Sequence, residues 1–278
     1  MRERLQGPEH PESLNVRGNL AFALAELGQI DEAVRLQETV AAGRARVLGA
    51  DYFLLSETWI RLSRLYAWEL GRPQDAIVAA RRARAIDEHE FGAGSAEGIA
   101  SLSNLARILA AEGEIAEADR ASLQALAIAD AQLPAGHLLD RSALATRGYV
   151  LEKSARCAEA LPILDRLDTT SAASLSGRGE LVFGLHARAR CELAHGHGDL
   201  AEVALVAALT VRETSRGVDS PMIADALIEL ARFHRHAGDY DAAIAAATRA
   251  LAVRAHTPGL LQTQARAELV AAQAHQRS

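Results

Sequence analysis

Apolar and small residues recur at three- and four-residue intervals along most of the chain, the spacing that places them on one face of a helix. Ala76, Ala80 and Ala83 follow it, as do Ala243, Ala247 and Ala250. Val, Ile and Thr rarely alternate with polar residues for more than a few positions, so no strand is predicted. The helical stretches are broken by a turn residue followed by an acidic and then a small or apolar residue. These breaks read Gly28-Gln-Ile-Asp-Glu-Ala33, Gly71-Arg-Pro-Gln-Asp-Ala76, Gly113-Glu-Ile-Ala-Glu-Ala118, Ala155-Arg-Cys-Ala-Glu-Ala160, Gly198-Asp-Leu-Ala-Glu-Val203 and Gly238-Asp-Tyr-Asp-Ala-Ala243. The turn positions 28, 71, 113, 155, 198 and 238 lie 43, 42, 42, 43 and 40 residues apart, which predicts six units.

A weaker signal falls between the units at Gly7-Pro-Glu-His-Pro11, Gly49-Ala-Asp51, Gly92-Ala-Gly-Ser95, Pro134-Ala-Gly-His137 and Gly217-Val-Asp-Ser-Pro221. Glycine ends a helix because it accepts a left-handed conformation, while Asp, Ser and Pro start the next. Each unit is then helix A, tight turn, helix B and a longer link. The A helices are expected near 11–27, 52–70, 95–112, 138–154, 179–195 and 219–237, and the B helices near 30–48, 73–91, 115–132, 157–168, 200–215 and 240–255. Small residues stand where two helices must cross closely, at Ala21, Ser63, Ala106, Gly148 and Ala231. One unit cannot bury such a face alone, so neighbours must stack. The expected fold is all-α, a right-handed superhelical solenoid of about six repeats, approximately 8–49, 50–92, 93–134, 135–177, 178–217 and 218–257, with a polar capping helix over 258–278. Ala155, Pro162, the Ser/Gly-rich link 171–179 and Gly196-His-Gly198 weaken regular stacking, which predicts a flexible middle in units four and five.

Asn19-Leu20-Ala21 up to Leu27-Gly28, then Asp31-Glu32-Ala33, preceded by Gly7-Pro8-Glu9-His10-Pro11, resembles the tetratricopeptide repeat of kinesin light chains and their bacterial relatives. The resemblance covers nearly the whole chain and weakens in units four and five. It implies that helix A lines a concave groove that holds a peptide or a partner domain. Carried over by position, the groove residues are Asn15, Asn19 and Phe22; Glu57, Arg61 and Arg64; Asn104 and Arg107; Ser142, Thr146 and Tyr149; and Asp225, Glu229 and Arg232. In the family the equivalent asparagines hold a peptide backbone, and only Asn19 and Asn104 keep that amide here.

Composition agrees with close helix packing, since 49% of residues are hydrophobic while only 4% are aromatic. The net charge of −6 is spread among interleaved signs, without the basic stripe that nucleic acid requires. Arg61, Arg64 and Arg107 form a basic spot suited to an acidic segment of a partner, or paired with groove acids such as Glu57. Cys157 and Cys191 lack ligand spacing and are expected as reduced thiols in a cytoplasmic protein. The polar start of the chain shows no signal-peptide core, and no apolar run approaches the roughly 18 residues of a membrane span.

No phosphate-binding or kinase signature occurs. His195-Gly196-His197 and His234-Arg235-His236 could reach one edge, yet turn histidines without a carboxylate shell are usually solvated. Glu88-His89-Glu90, or Asp51 with Glu57, stands beside no nucleophile. The expectation is a scaffold or adaptor without cofactor, metal, membrane or enzymatic activity, resembling the sensor segments of larger regulatory proteins. The alternative is a regulator whose superhelix changes pitch on binding a signalling peptide.

Overall fold

The computed structural model describes residues 7, 9–50, 52–167, 178–255 and 259–276. Among them are thirteen α-helices and no strand. The first three units pair α1 (Pro11–Glu26) with α2 (Ile30–Leu48), α3 (Leu54–Arg64) with α4 (Pro73–Phe91), and α5 (Ile99–Ala111) with α6 (Ile115–Gln132). The pairs α7 (Leu138–Lys153) with α8 (Cys157–Leu164), α9 (Arg178–Ala194) with α10 (Gly198–Arg216), and α11 (Ala224–Ala237) with α12 (Tyr240–Val253) follow. The last helix, α13 (Leu260–Gln276), caps α11 and α12. No helix among the described residues is long and apolar enough to cross a membrane.

Outside unit two, each A helix ends in the same turn. In unit one the Gln29 amide donates to the Leu24 carbonyl at 2.8 Å, five residues back, and the matching bonds run Glu114 to Leu109, Arg156 to Leu151, His197 to Glu192 and Asp239 to His234. The residue before each donor has positive φ. It is glycine except in unit four, where Ala155 takes φ 57°. Such a φ disfavours a side chain, so Ala155 carries the strain that glycine avoids elsewhere.

This row corrects the register of unit five. The expected turn residue, Gly198, instead opens α10, and Gly196 holds the positive φ. Five residues on, Ala33, Ala76, Ala118, Ala160, Ala201 and Ala243 fill one buried row. Val203, expected in that slot, is exposed. Seven residues before the turn, Ala189 joins Ala21, Ala106 and Ala231 as a fully buried contact. Gly148 stands in the same row, where an added Cβ would come within 2.3 Å of Leu164.

The long first interval has a physical cause. Helix α3 passes into a π-helical segment, Leu65–Glu69, and the closing bond runs from the Arg72 amide six residues back to the Tyr66 carbonyl at 2.7 Å. The extra residue is absorbed in one wide turn, as π-bulges do.

Unit four's B helix is shorter than the expected 157–168 and contains Pro162. The cysteines correct a second expectation: Cys157 and Cys191 form a disulfide. Stacking α9 on α8 brings their Cα atoms to 5.1 Å, a proximity hidden by 34 residues of sequence. The disulfide bridges the two units in which a hinge is expected, and cysteine count gives no argument for a reducing compartment. Most of the link 171–179 lies outside the described residues.

Candidate functional site: the concave face

With Gly196 as the turn of unit five, three rows of A-helix residues can be read across the inner face. Phe183 joins Asn15, Glu57, Ser142 and Asp225; Ala187 joins Asn19, Arg61, Asn104, Thr146 and Glu229; Arg190 joins Phe22, Arg64, Arg107, Tyr149 and Arg232. Phe183 and Arg190 were missed because the doubled glycine gave the wrong register, whereas the buried-alanine slot at Ala201 in place of Val203 would have exposed the slip.

Unit one presents its row openly. Asn15 and Asn19 are exposed and the Phe22 ring is 44% exposed. The Asn15 Oδ1 accepts from Arg44 at 2.7 Å. In unit two, Arg61 pairs with Glu57 at 2.6 Å and its guanidinium carbon lies 5.1 Å from the centre of the Phe22 ring. The Arg64 Nε donates to Asn104 Oδ1 at 3.1 Å, and the Asn104 amide donates to Ser63 Oγ at 2.8 Å.

Units three and four are covered. Asn104 and Thr146 are fully buried, Arg107 is 1% exposed, and Tyr149 is buried with its hydroxyl pushed up to about 12 by desolvation. The cover is Phe183. Its ring centre lies 5.4 Å from that of Trp68, 6.0 Å from that of Tyr149 and 5.2 Å from the Arg107 guanidinium carbon. Thus the expected ladder of Asn104 and Arg107 beside Asn19 does not lie open: the amide is spent on Ser63 and Arg64.

The C-terminal half carries a chain of ion pairs. Arg190 bonds Glu152 at 2.9 Å and approaches Glu229 at 3.5 Å; Arg232 joins Glu229 at 3.0 Å to Glu268 at 3.1 Å, which also holds Arg235 at 2.9 Å. Asp225 accepts from Arg212 at 2.6 Å. Burial pushes the Asp225 and Glu229 carboxyls up, but Arg212 for the first and Arg190 for the second hold both below the usual range. His186 is buried, which lowers its imidazole. Its Nε2 meets no hydrogen-bond partner among the described residues.

Contacts across the array show why the middle is covered. Arg216 at the end of α10 bonds Glu26 of α1 at 2.6 Å and lies 5.7 Å over the Phe22 ring. Arg254 at the end of α12 is 1% exposed and bonds Glu69 of the π segment at 2.9 Å. The superhelix therefore completes a turn, and units five and six meet units one and two along a seam.

The turn histidines of unit five bond within their own turn. His195 and His197 stack at 6.2 Å, with Nδ1 of His195 on the Cys191 carbonyl and Nδ1 of His197 at 2.9 Å from Glu192. Among the described residues no group of three His, Cys, Asp or Glu could hold a metal ion.

A superhelix of paired helices with an inner face of A-helix side chains defines a helical-repeat protein. One tetratricopeptide-repeat family matches residues 12–89 and another matches 99–129 and 223–257. The chain belongs to the tetratricopeptide-repeat family, and its fold is that of kinesin-light-chain-like repeats. It is similar to kinesin-light-chain repeats of Podosopora anserina, at 24% identity and TM-score 0.55, over 74% of this chain and 98% of that one. A Rap protein complexed with Competence and Sporulation Factor shares 15% identity at TM-score 0.57, over 88% and 77% of the two chains. A thermophilic tetratricopeptide protein of Thermus thermophilus shares 20% at TM-score 0.55, over 79% and 99%. At these identities the likeness is one of fold. No curated protein matches the chain in sequence.

Proposed function

We propose that this array is a scaffold or adaptor whose concave face binds an acidic segment of a partner protein, entering at the open rows of units one and two. The observation that carries this reading is the mouth formed by Asn15, Asn19, Phe22, Arg61 and Arg64, where amides and guanidinium groups stand in a chain of net charge −6. Guanidinium forks suit carboxylates, and an exposed amide can both donate to and accept from a peptide bond. Interleaved charges elsewhere speak against nucleic acid and membrane surfaces as partners, and the reading requires no catalysis. The buried positions Asn104, Arg107, Thr146 and Tyr149, and the ion-paired Asp225, Glu229 and Arg232, would engage a partner only if the seam opened. The experiment recovers a partner on the immobilised chain, purifies it, and compares its affinity for the chain with that for Arg61→Glu. Affinity unchanged by the reversal, with the fold intact, would move the binding surface away from this mouth.

The seam favours a second reading, a regulator that responds to a signalling peptide by changing superhelix pitch. A Rap protein of similar fold is solved in complex with Competence and Sporulation Factor. Small-angle scattering with and without the purified partner tests this, and an unchanged radius of gyration would sink it.

A further inference from the structure

Two arginines from distant parts of the chain share one aromatic ring. Arg61 reaches the Phe22 ring from the neighbouring A helix at 5.1 Å, and Arg216 reaches it from the second superhelical turn at 5.7 Å. Each guanidinium is held by one carboxylate, Glu57 for Arg61 and Glu26 for Arg216, both at 2.6 Å. All three side chains sit at the mouth and remain in part accessible to solvent. A single anion that reaches both guanidinium groups is attracted by two cations at once. Such forks present several donors each, more than one carboxylate apiece consumes.

We propose that Phe22, Arg61 and Arg216 form a composite carboxylate-binding site, assembled only when the superhelix closes, which takes an acidic side chain of a bound peptide. The inference rests on the reading that the concave mouth binds an acidic segment, and it adds a residue from the opposite turn and a consequence. Because Arg61 belongs to unit two and Arg216 to unit five, a ligand that holds both holds the seam shut, so binding and closure are coupled. Glu26 is the internal competitor. Burial pushes its carboxyl up while Arg216 and Arg212 pull it down, so its charge is kept at a desolvation cost that a better hydrated peptide carboxylate avoids.

The test titrates a labelled hexaglutamate peptide into the full chain and follows fluorescence anisotropy, with circular dichroism of every variant. Saturable binding is expected, weakened roughly tenfold or more by Arg61→Gln and also by Arg216→Gln, the loss of a charge-assisted contact in each. Glu26→Gln should tighten binding several-fold, because it frees Arg216 without changing the side chain's shape. Arg166→Gln, which removes an arginine paired with Asp130 away from the seam, should leave binding unchanged. Loss on Arg61→Gln without loss on Arg216→Gln overturns the composite site while leaving the mouth as the binding surface. No binding of the peptide, no loss in either arginine variant, or weaker binding on Glu26→Gln overturns the site as well. If Arg216→Gln fails to fold, the Glu26→Gln result decides alone.

Discussion

Asn19 and Asn104 hold the same place in units one and three, yet one amide faces solvent and the other is fully buried between Ser63 and Arg64. Phe22 and Arg107 differ in the same way. Nothing within a single repeat separates them. What differs is the surroundings: Asn104 meets Ser63 and Arg64 of the preceding unit and Phe183 lies against Arg107, while in unit one Arg216 reaches the edge of the row at Phe22. A position open to solvent in one unit can therefore be core in another. Position within a repeat does not by itself tell which.

The largest break in this contrast should come from Phe183→Ala. It removes the ring shared by Trp68, Tyr149 and Arg107 and should cost about 3 kcal/mol. Amide exchange at residues 104–107 should then rise toward that of unit one; an unchanged pattern would mean that the cover lies elsewhere. Replacing both cysteines by alanine should cost a similar amount, about 3 kcal/mol, because the disulfide closes a long loop in the unfolded chain. Thiol titration of the denatured chain without reductant should find no free sulfhydryl, and two free thiols would return the cysteines to the expected reduced state.

Asn104→Ala should destabilise by about 2 kcal/mol in chemical denaturation, since the buried Ser63 hydroxyl loses the amide that donates to it and the Arg64 Nε loses its acceptor. The pH response sharpens the comparison on the C-terminal side. His186 is held neutral by burial, so the unfolded chain takes up its proton first as pH falls below about 6.5, and the folded state loses stability there. Asp225 and Glu229, held below the usual carboxylate range, contribute stability above that range and lose it further down, as pH falls through their own lowered values. The melting temperature should drop from about pH 7.5 to about pH 5.5, and His186→Gln should flatten that drop. A flat wild-type profile would count against a neutral buried imidazole. Asn19→Ala should be the smallest effect, within about 0.5 kcal/mol, because no buried group depends on it. A cost equal to that of Asn104→Ala would erase the distinction between open and covered rows.

Sequence alone determined the repeating element: turn residues with an alanine five positions on, small residues at crossings, and helices whose faces need neighbours. These are local requirements, repeated six times, and a period of about 42 residues survives substitution at any one site. The period even carried the π segment, as an interval of 43 residues between Gly28 and Gly71. It misled where local signals competed, at Gly196 and Gly198, since either glycine can turn a chain and only the burial of Ala201 chooses between them. Tertiary structure decided the rest. The seam, the burial of Asn104 and Arg107, the Cys157–Cys191 disulfide and the meeting of Arg61 with Arg216 depend on how far each unit rotates against the next. Between adjacent units, as at Cys157 and Cys191, packing sets that rotation, and across the seam it accumulates over several units, so no local pattern records it.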